Sequence, residues 1–163
     1  MIRVGVMTIS DRCSRGERKD LSGPRLVELV SALNVELLGT LIVADEVEQI
    51  QAGLLDFARN QRADLILTTG GTGLSARDVT PEATAAVLDR EIPGISEAMR
   101  IQNLKHTPYA MLSRGLAGLI GSCLVVNLPG SVKAVEENFA VISPVIRHAL
   151  QMTHGDTHES YSP

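Results

Sequence analysis

LILTTGGTG at positions 65–73 and ARDVTPE at positions 76–82 form the stretch that decides the fold of this chain. The apolar run at 65–67 is typical of a strand covered on both faces, and the strand stops at a glycine cluster. A short polar loop follows, and a helix is predicted to begin at Thr80, the expected N-cap, with Pro81 in its first turn. A strand, a glycine loop and a helix in this order predict one unit of an α/β sheet.

The glycine loop, which comprises Gly70, Gly71, Thr72 and Gly73, is a candidate site for an anion. Glycines at the carboxyl end of a strand let backbone N–H groups approach an anionic ligand closely, and the helix N-terminus beyond adds partial positive charge. Asp78 lies between loop and helix, where a carboxylate suits a cation. The combination indicates phosphate chemistry, and the alternative is a glycine-rich turn that merely joins a strand to a helix.

Two standard nucleotide-binding motifs do not fit this loop. The letters GTGLSA at 71–76 match a dinucleotide fingerprint, but that fingerprint needs the helix to open inside the glycine run and an acidic residue about 20 positions later. Here residues 77–79 precede the helix, and the acids further on, Glu91 and Glu97, do not end a strand. A P-loop is absent too, because no Gly-Lys-Ser/Thr follows the glycines.

The composition is that of an ordinary globular protein, with 163 residues, 44% hydrophobic and 21% charged. We predict a single domain over residues 1–152 and a flexible C-terminal tail over 153–163. A net charge of −4 and an aromatic content of 2% argue against nucleic acid and membrane surfaces as partners. The N-terminal strand has no signal-peptide layout, and no apolar run reaches membrane-spanning length, so a cytoplasmic protein is expected. Cys123 is predicted to be a core residue.

Predicted strands at 2–9, 35–44, 64–69 and 124–128 alternate with helical segments, which predicts a three-layer αβα fold with a mostly parallel central sheet. Ligands bind outside the carboxyl ends of the strands in such sheets. The polar and glycine-rich motifs at these ends should therefore meet at one rim: Ser10, Asp11, Asp45, Gly70, Gly71, Thr72, Gly73, Asn127, Pro129, Gly130 and Ser131. This convergence is stronger evidence for a site than any single motif.

Asp45 and Asp78 are candidate metal ligands and catalytic residues. Two carboxylates at one rim suit a divalent cation that bridges phosphate oxygens. Each has a local alternative: Asp45 with Glu48 fits a helix capping box, and Asp78 could bond its own loop backbone two residues on. The sequence leaves both alternatives open.

Ser113 and Arg114 offer a hydroxyl and a guanidinium to an anionic substrate, although such a pair is often incidental at a surface. Ser10 and Asp11 are further candidate substrate contacts. The segment 127–131 ends a buried strand and opens the last helix, with Ser131 as the expected N-cap. It is either a simple strand-to-helix turn or a second contact to a phosphate or nucleotide.

The segment 110–120 is predicted to form an edge strand and an interface with another copy of the chain. It is apolar and rich in small residues, without an obvious helical partner. Gly115 and Gly118 would allow another backbone to approach closely, and Leu116, Leu119 and Ile120 would supply apolar area.

Four motifs together resemble the molybdenum-cofactor biosynthesis family, which includes the MogA and MoaB proteins and the G domains of gephyrin and plant Cnx proteins. They are TISDR at 8–12, TTGGTG at 68–73 with RDVTPEAT at 77–84, MLSR at 111–114 and NLPG at 127–130. The glycine loop joined to DVTPE is highly specific, and the resemblance extends from about residue 2 to about residue 150. One departure is Val132, where the family's turn commonly has a second proline.

The resemblance implies a molybdopterin adenylyltransferase that uses Mg²⁺ and ATP and releases pyrophosphate. It implies that Asp45 and Asp78 are the two essential acids around magnesium and that Ser113 lies near the bound pterin. The glycine loop and the 127–131 turn would then belong to the nucleotide site. It also implies a homotrimer, or a hexamer as in some members, and contact with a metal-insertion protein of the same pathway.

Two other functions stay open at this point. One is a MoaB-type, non-catalytic pterin-binding or scaffold protein on the same fold. The other is a nucleotide or pterin hydrolase related to the competence-damage family. The resemblance does not choose between molybdenum and tungsten as the eventual metal.

Overall fold

The computed structural model describes residues 1–155, which form a six-stranded sheet with helices packed on both faces. The strands are β1 (Ile2–Ile9), β2 (Val35–Val43), β3 (Leu65–Thr69), β4 (Arg90–Glu91), β5 (Ala117–Ile120) and β6 (Cys123–Leu128). The helices are α1 (Asp11–Ser14), α2 (Ser22–Ser31), α3 (Val47–Leu55), α4 (Thr80–Ala85), α5 (Pro93–Asn103) and α6 (Val132–Thr153). A π-helical turn at Asp56–Asn60 extends α3, and a 3-10 turn at Pro108–Leu112 follows α5.

The strand order is β2-β1-β3-β6-β5-β4. Strands β2, β1, β3 and β6 run parallel, whereas β5 pairs antiparallel with β6, and β4 pairs antiparallel with β5. The predicted three-layer αβα fold with a mostly parallel sheet is therefore confirmed. All five residues of β3 are buried, as expected for a central strand covered on both faces.

Two aliphatic cores lie on opposite faces of the sheet. One is formed with α2, α5 and α6, and the other with α3 and α4. Residues of α6 at helical spacing face the first core: Val135, Phe139, Ile142, Ile146 and Leu150. Cys123 is buried in the second core, as predicted. Each fully buried aliphatic side chain contributes roughly 1.5–3 kcal/mol to folding.

The prediction of an edge strand within 110–120 is wrong. Strand β5 lies inside the sheet, between β6 and β4, and the two-residue β4 forms the edge. Ala117, Leu119 and Ile120 are buried against their own domain. A strand as short as β4 leaves no periodic pattern in the sequence, so the segment that covers β5 could not be recognised there.

The last helix, α6, continues through Pro144 and ends at Thr153. Most of the predicted tail, positions 156–163, lies outside the described residues. No group of three or more metal-ligating His, Cys, Asp or Glu side chains occurs in residues 1–155. No helix in that range is long and apolar enough to cross a membrane.

Replacing Gly5 by alanine should destabilise the fold by about 1–3 kcal/mol, because the new methyl group overpacks the core. A Cβ at this position would lie 2.6 Å from Cδ1 of Phe57, whose ring is buried. Gly39→Ala is the matched control, since its Cβ would lie at an ordinary 4.0 Å from the same ring. Urea unfolding should separate the two variants, and equal stabilities would contradict this packing.

Candidate functional site

The glycine loop adopts a backbone conformation that requires glycine. Gly70 and Gly71 have φ values of +101° and +66°. A Cβ at Gly70 would collide with the carbonyl oxygen of Ile9, and one at Gly71 would collide with Oγ1 of Thr80. The loop therefore lies directly against the end of β1 and the start of α4, and a side chain would push it away from both.

The carbonyl groups of this loop are all bound within the chain. The hydroxyl of Thr80 donates to the carbonyl of Gly70 (2.9 Å), and the backbone N–H of Thr80 donates to the carbonyl of Gly71 (3.1 Å). The N–H of Arg114 donates to the carbonyl of Thr72 (2.9 Å), and Nε of Arg114 donates to that of Gly73 (2.9 Å). The prediction that Thr80 is the N-cap of α4 is therefore wrong. Val79 is the N-cap, and the Thr80 hydroxyl binds the loop instead.

The N–H groups of Gly71, Thr72 and Gly73 make no hydrogen bond within residues 1–155. Because the neighbouring carbonyls are bound, these donors remain available to a ligand. Three consecutive free donors form a concave site for an anion such as a phosphate group. The predicted anion-binding character of the loop thus has a structural basis.

Arg114 braces the loop. Besides binding Gly73, its Nη2 donates to the carbonyl of Asp78 (2.7 Å), and its Nη1 pairs with Glu82. The guanidinium therefore connects the loop to the polar segment before α4. The predicted contact of Arg114 with a substrate stays a prediction, and the structure gives the side chain a bracing role.

Asp11 and Asp45 are joined by reciprocal hydrogen bonds. The N–H of Asp11 donates to Oδ2 of Asp45 (2.8 Å), and the N–H of Asp45 donates to Oδ1 of Asp11 (3.0 Å). The capping-box alternative for Asp45 is wrong, because α3 begins at Val47 and its N-cap is Glu46. The carboxylate of Asp45 instead connects the ends of β1 and β2.

Arg77 adds a cation to this pair. Its Nε and Nη2 donate to the two carboxylate oxygens of Asp11, both at 3.0 Å, and Nη2 also donates to Glu46 (2.7 Å). Hydrogen bonds from this guanidinium lower the pKa of Asp11. Burial raises the pKa of Asp45, and the negative charges of Asp11 and Asp78 raise it further. The hydrogen bond from the Asp11 N–H lowers this pKa but does not cancel the increase. The site therefore has an excess of negative charge that a bound cation would relieve.

Asp78 is half-buried beside the glycine loop. Its Oδ2 accepts a hydrogen bond from the N–H of Ser75 (2.9 Å), three residues earlier, so the carboxylate does bond its own loop. The alternative of a bond two residues on is wrong, because the N–H of Thr80 donates to the carbonyl of Gly71. A Cβ at Gly73 would lie only 2.9 Å from Oδ2 of Asp78. The carboxylate is thus held against the loop, and Oδ1 accepts no hydrogen bond from the described residues.

Two cavities meet at the loop. Cavity A, of about 660 Å³, extends from the loop to the facing sides of α5 and α6. Cavity B, of about 410 Å³, extends from the loop to the N-termini of α2 and α6. Gly71, Asp78 and Gly130 line both cavities. The predicted convergence of the strand-end motifs at one rim is confirmed by this arrangement.

The predicted site residues divide between the two cavities. Cavity B is lined by Ser10, Asp45, Gly70 and Ser131, in addition to the shared residues. Cavity A is lined by Thr72, Gly73, Ser113, Asn127 and Pro129. The two exceptions are Asp11 and Arg114, which line neither cavity and support their neighbours instead.

The turn after β6 is fixed by its own side chains. The buried carboxamide of Asn127 donates to Oγ1 of Thr68 (3.0 Å) and of Thr84 (3.1 Å) and accepts from the N–H of Leu116 (3.1 Å). Ser131 caps α6, as predicted, because its hydroxyl accepts from the N–H of Ala134. The helix therefore begins at Val132 without a proline at that position.

The remaining serines are placed differently. The Ser10 hydroxyl caps α1 by accepting from the N–H of Cys13 (3.2 Å), so part of its bonding capacity is used locally. Ser113 is half-buried at cavity A, and its hydroxyl accepts only a long contact of 3.5 Å from the N–H of Gly115. Ser113 therefore has more capacity for a ligand than Ser10 has.

The sequence patterns predict no role for Arg77 or Asp20, although the structure gives each of them clear contacts. The partners of Arg77 lie 31 and 66 positions away, so no local pattern points to them. Asp20 lines cavity B and accepts from the hydroxyl of Thr8 (2.7 Å) and the N–H of Gly23 (3.0 Å). Its position three residues before Gly23, at the start of a helix, is a capping pattern that could have identified it.

Residues 5–148 match the family described as "probable molybdopterin binding domain". This chain belongs to that family. The resemblance stated from the sequence motifs is thereby confirmed.

Individual relatives agree with this membership. The chain is 40% identical to a molybdopterin adenylyltransferase of Helicobacter pylori, over 95% of this chain and 89% of that protein. It is 45% identical to the molybdenum cofactor synthesis protein cinnamon of Drosophila melanogaster, over 95% of this chain but only 26% of that longer protein. The crystal structure of the molybdopterin biosynthesis enzyme MoaB from Thermus thermophilus superposes with a TM-score of 0.90 at 46% identity, covering 95% of this chain and 98% of that one.

Replacing Asp45 by asparagine should raise the melting temperature of the ligand-free protein by a few degrees at neutral pH. Because folding raises the pKa of this carboxyl group, the stabilisation of its neutral form is lost as the pH rises through that pKa. The asparagine keeps an oxygen for the Asp11 N–H and carries no charge at any pH. Thermal melts should show an advantage that is largest near pH 7 and disappears toward about pH 4.

Asp56→Asn is the control for this measurement. Hydrogen bonds from Asn60 and Gln61 lower the pKa of Asp56, so its contribution to stability has the opposite sign and is lost as the pH falls. The control should therefore be neutral or slightly destabilising at pH 7. A lower melting temperature for Asp45→Asn at pH 7 would contradict the electrostatic description of the site.

Proposed function

We propose that this chain is a molybdopterin adenylyltransferase, which transfers AMP from ATP to the phosphate of molybdopterin and releases pyrophosphate. Support comes from the family membership and from the Helicobacter pylori relative of that name, which the chain matches over nearly its whole length. The two cavities also share lining residues at the glycine loop, and this supports the proposal independently of any relative.

The observation that carries the proposal is that Gly71, Asp78 and Gly130 line both cavities. A reaction between two bound substrates needs a place where their reacting groups meet. The free N–H donors of the glycine loop lie at this junction, and the two carboxylates lie beside it. Both reacting groups of the proposed transfer are phosphates, and the junction suits them.

We assign the nucleotide to cavity B and the pterin to cavity A. Cavity B is lined by Arg18 and Lys19 and by Ser131 and Val132 at the start of α6, so it offers two cations and a helix N-terminus to a triphosphate. Cavity A is larger, partly apolar, and lined by Ser113. A flat heteroaromatic ring with a short phosphate-bearing chain suits that combination.

Asp45 and Asp78 fit a magnesium ion. Mg²⁺ is typically bound by one or two carboxylates together with substrate phosphates and waters, which matches a site with two acids and an excess of negative charge. When bound, the ion would neutralise charge on the triphosphate. The residues that would hold it are Asp45 from the end of β2 and Asp78 from the segment before α4.

The transfer itself is simple in chemical terms. An oxygen of the molybdopterin phosphate forms a bond to the α-phosphorus of ATP, and the bond from that phosphorus to the bridging oxygen of the β-phosphate breaks. A phosphate monoester is already an anionic nucleophile, so no side chain has to remove a proton. The free N–H groups of Gly71, Thr72 and Gly73 would hold the phosphoryl oxygens and stabilise the charge that develops on them.

The direct test is to incubate the purified protein with molybdopterin, ATP and Mg²⁺ and to look for adenylated pterin by chromatography. The proposal expects adenylated pterin and pyrophosphate in equal amounts. Binding of the pterin without any adenylate would instead indicate a non-catalytic pterin-binding protein.

Asp78→Asn should lower the rate of adenylate formation by at least about a hundredfold, because the charge toward Mg²⁺ is lost while the side-chain volume is kept. Asp45→Asn should have a similar effect. Asp56→Asn is the control, since this exposed acid lies in the turn after α3, away from both cavities, and should leave the rate unchanged. Normal turnover in the Asp78 and Asp45 variants would assign both carboxylates to structure alone.

We further propose that the protein works in the cytoplasm as a homotrimer. The resemblance supports the stoichiometry, and the edge strand β2 carries the exposed apolar side chains Leu37, Leu41 and Ile42, which an interface would cover.

Light scattering should give about three times 17.5 kDa, or six times that mass for a hexamer. Leu41→Glu should reduce the measured mass, and a monomeric native protein would contradict the proposal.

A further inference from the structure

Four carboxylates lie at or beside the junction of the two cavities, and their oxygens are used in different ways. Both oxygens of Asp11 accept hydrogen bonds from Arg77, and Oδ1 also accepts one from the N–H of Asp45. Glu46 accepts a hydrogen bond from the same guanidinium. Asp45 and Asp78 each use only Oδ2, for one backbone N–H, and their Oδ1 atoms accept no hydrogen bond from the described residues.

The two acids with a free oxygen are the ones that face the ligand cavities. A Cβ at Gly71 would lie 3.0 Å from Oδ1 of Asp45, so that oxygen lies against the glycine loop. Asp45 and Asp78 both line cavity B. Asp11 and Glu46 line neither cavity. The four acids are thus divided into two that Arg77 occupies and two that a ligand can reach.

Arg77 is placed by charge and hydrogen bonds, with little packing. Its side chain is 54% exposed and lines neither cavity. Arg77 directly precedes Asp78 in the chain, and its partners Asp11 and Glu46 adjoin Asp45 through hydrogen bonds and through sequence. Hydrogen bonds to Asp11 and Glu46 raise the pKa of Arg77, so its guanidinium stays charged. A fixed positive charge therefore lies among four negative ones.

The number of available carboxylates decides how a divalent cation binds. Ca²⁺ takes about six to eight oxygen ligands, several of them from carboxylates, and binds protein sites without any substrate. Mg²⁺ keeps most of its waters and is usually bound by one or two carboxylates together with substrate phosphates. Within residues 1–155, no three or more His, Cys, Asp or Glu side chains come together as metal ligands. The pairing of Asp11 and Glu46 with Arg77 accounts for this.

We propose that Arg77 makes metal binding depend on the nucleotide. By occupying Asp11 and Glu46, it leaves Asp45 and Asp78 as the only acids for the ion, and its charge repels a cation that arrives without phosphates. The inference rests on the proposed function, which assigns magnesium to these two carboxylates. Arg77 acts through its acidic partners and is a positioning residue. The metal then enters together with ATP, and Ca²⁺ does not occupy the ligand-free site.

Binding of Mn²⁺ to the ligand-free protein at low ionic strength, measured by the electron paramagnetic resonance of the free ion, tests this role without turnover. Arg77→Gln should lower the dissociation constant for Mn²⁺ about tenfold, because a nearby positive charge is removed and Asp11 and Glu46 are released. Ca²⁺ should compete with Mn²⁺ in this variant. The native protein should bind Mn²⁺ weakly until α,β-methylene-ATP is added.

The direction of the change separates this role from a purely structural one. If Arg77 only held the ends of β1 and β2 together, its loss would loosen Asp45 and weaken the binding of Mn²⁺. Arg77→Lys keeps the charge but cannot bond both oxygens of Asp11 through a planar fork. The lysine variant should therefore bind Mn²⁺ as weakly as the native protein does, whereas a structural role predicts that it behaves like Arg77→Gln.

Arg25→Gln is the matched control. Arg25 also bonds two acids, Glu28 (2.7 Å) and Glu136 (2.6 Å), but it lies on α2 and lines neither cavity. Its substitution removes the same charge from the chain and should leave the affinity for Mn²⁺ at the native value. Tighter binding in Arg77→Gln also shows that this variant is folded, since a loss of folding would abolish the site.

Several results would overturn the inference. They are unchanged or weaker Mn²⁺ binding in Arg77→Gln, equally tight binding in Arg77→Lys or Arg25→Gln, and tight binding by the native protein without a nucleotide. The proposed function is judged separately, by whether the native protein forms adenylated pterin. Tighter Mn²⁺ binding in Arg77→Gln, in a protein that forms no adenylate, would retain the role of Arg77 toward the metal and reject the transferase. Adenylate formation with unchanged Mn²⁺ binding in that variant would do the opposite.

Discussion

Four consecutive backbone carbonyls, those of residues 70–73, are bound inward by Thr80 and Arg114, and the whole site depends on this arrangement. With the carbonyls held, the neighbouring N–H groups are left without partners and can bind an anion. The positive φ angles of Gly70 and Gly71 make the arrangement possible, because they bring the backbone against β1 and α4. The glycines supply the conformation, and Thr80 and Arg114 hold it.

The loop also determines where the charges lie. Asp78 is held against it by the Ser75 N–H, and the carbonyl of Asp78 is bound by Arg114. Asp45 is fixed separately, by its reciprocal bonds with Asp11 at the ends of β1 and β2. Burial and neighbouring charges raise the pKa of Asp45, so this part of the site is maintained at the expense of stability in the absence of a ligand. Functional sites often show such strain.

Much of the fold and of the site could be predicted from the sequence. The parallel strands were visible as apolar runs, and glycine or polar residues at their ends indicated a common rim, since parallel strands end at the same edge. The roles of Arg77 and Arg114 could not be predicted, because their partners lie 31 to 66 positions away. The edge-strand prediction at 110–120 failed for a related reason: the strand that covers β5 has only two residues, and its pairing is a tertiary contact.

The central claim is that Asp45 and Asp78 hold the metal of a metal–nucleotide complex beside the glycine loop. Crystals soaked with Mn²⁺ and α,β-methylene-ATP, which cannot be cleaved at the α-phosphorus, would test it most directly through the anomalous signal of the metal. We predict an anomalous peak within about 2.3 Å of carboxylate oxygens of Asp45 and Asp78, with the nucleotide phosphates on the N–H groups of Gly71, Thr72 and Gly73. A nucleotide bound away from the loop, or a metal that contacts neither carboxylate, would contradict the account.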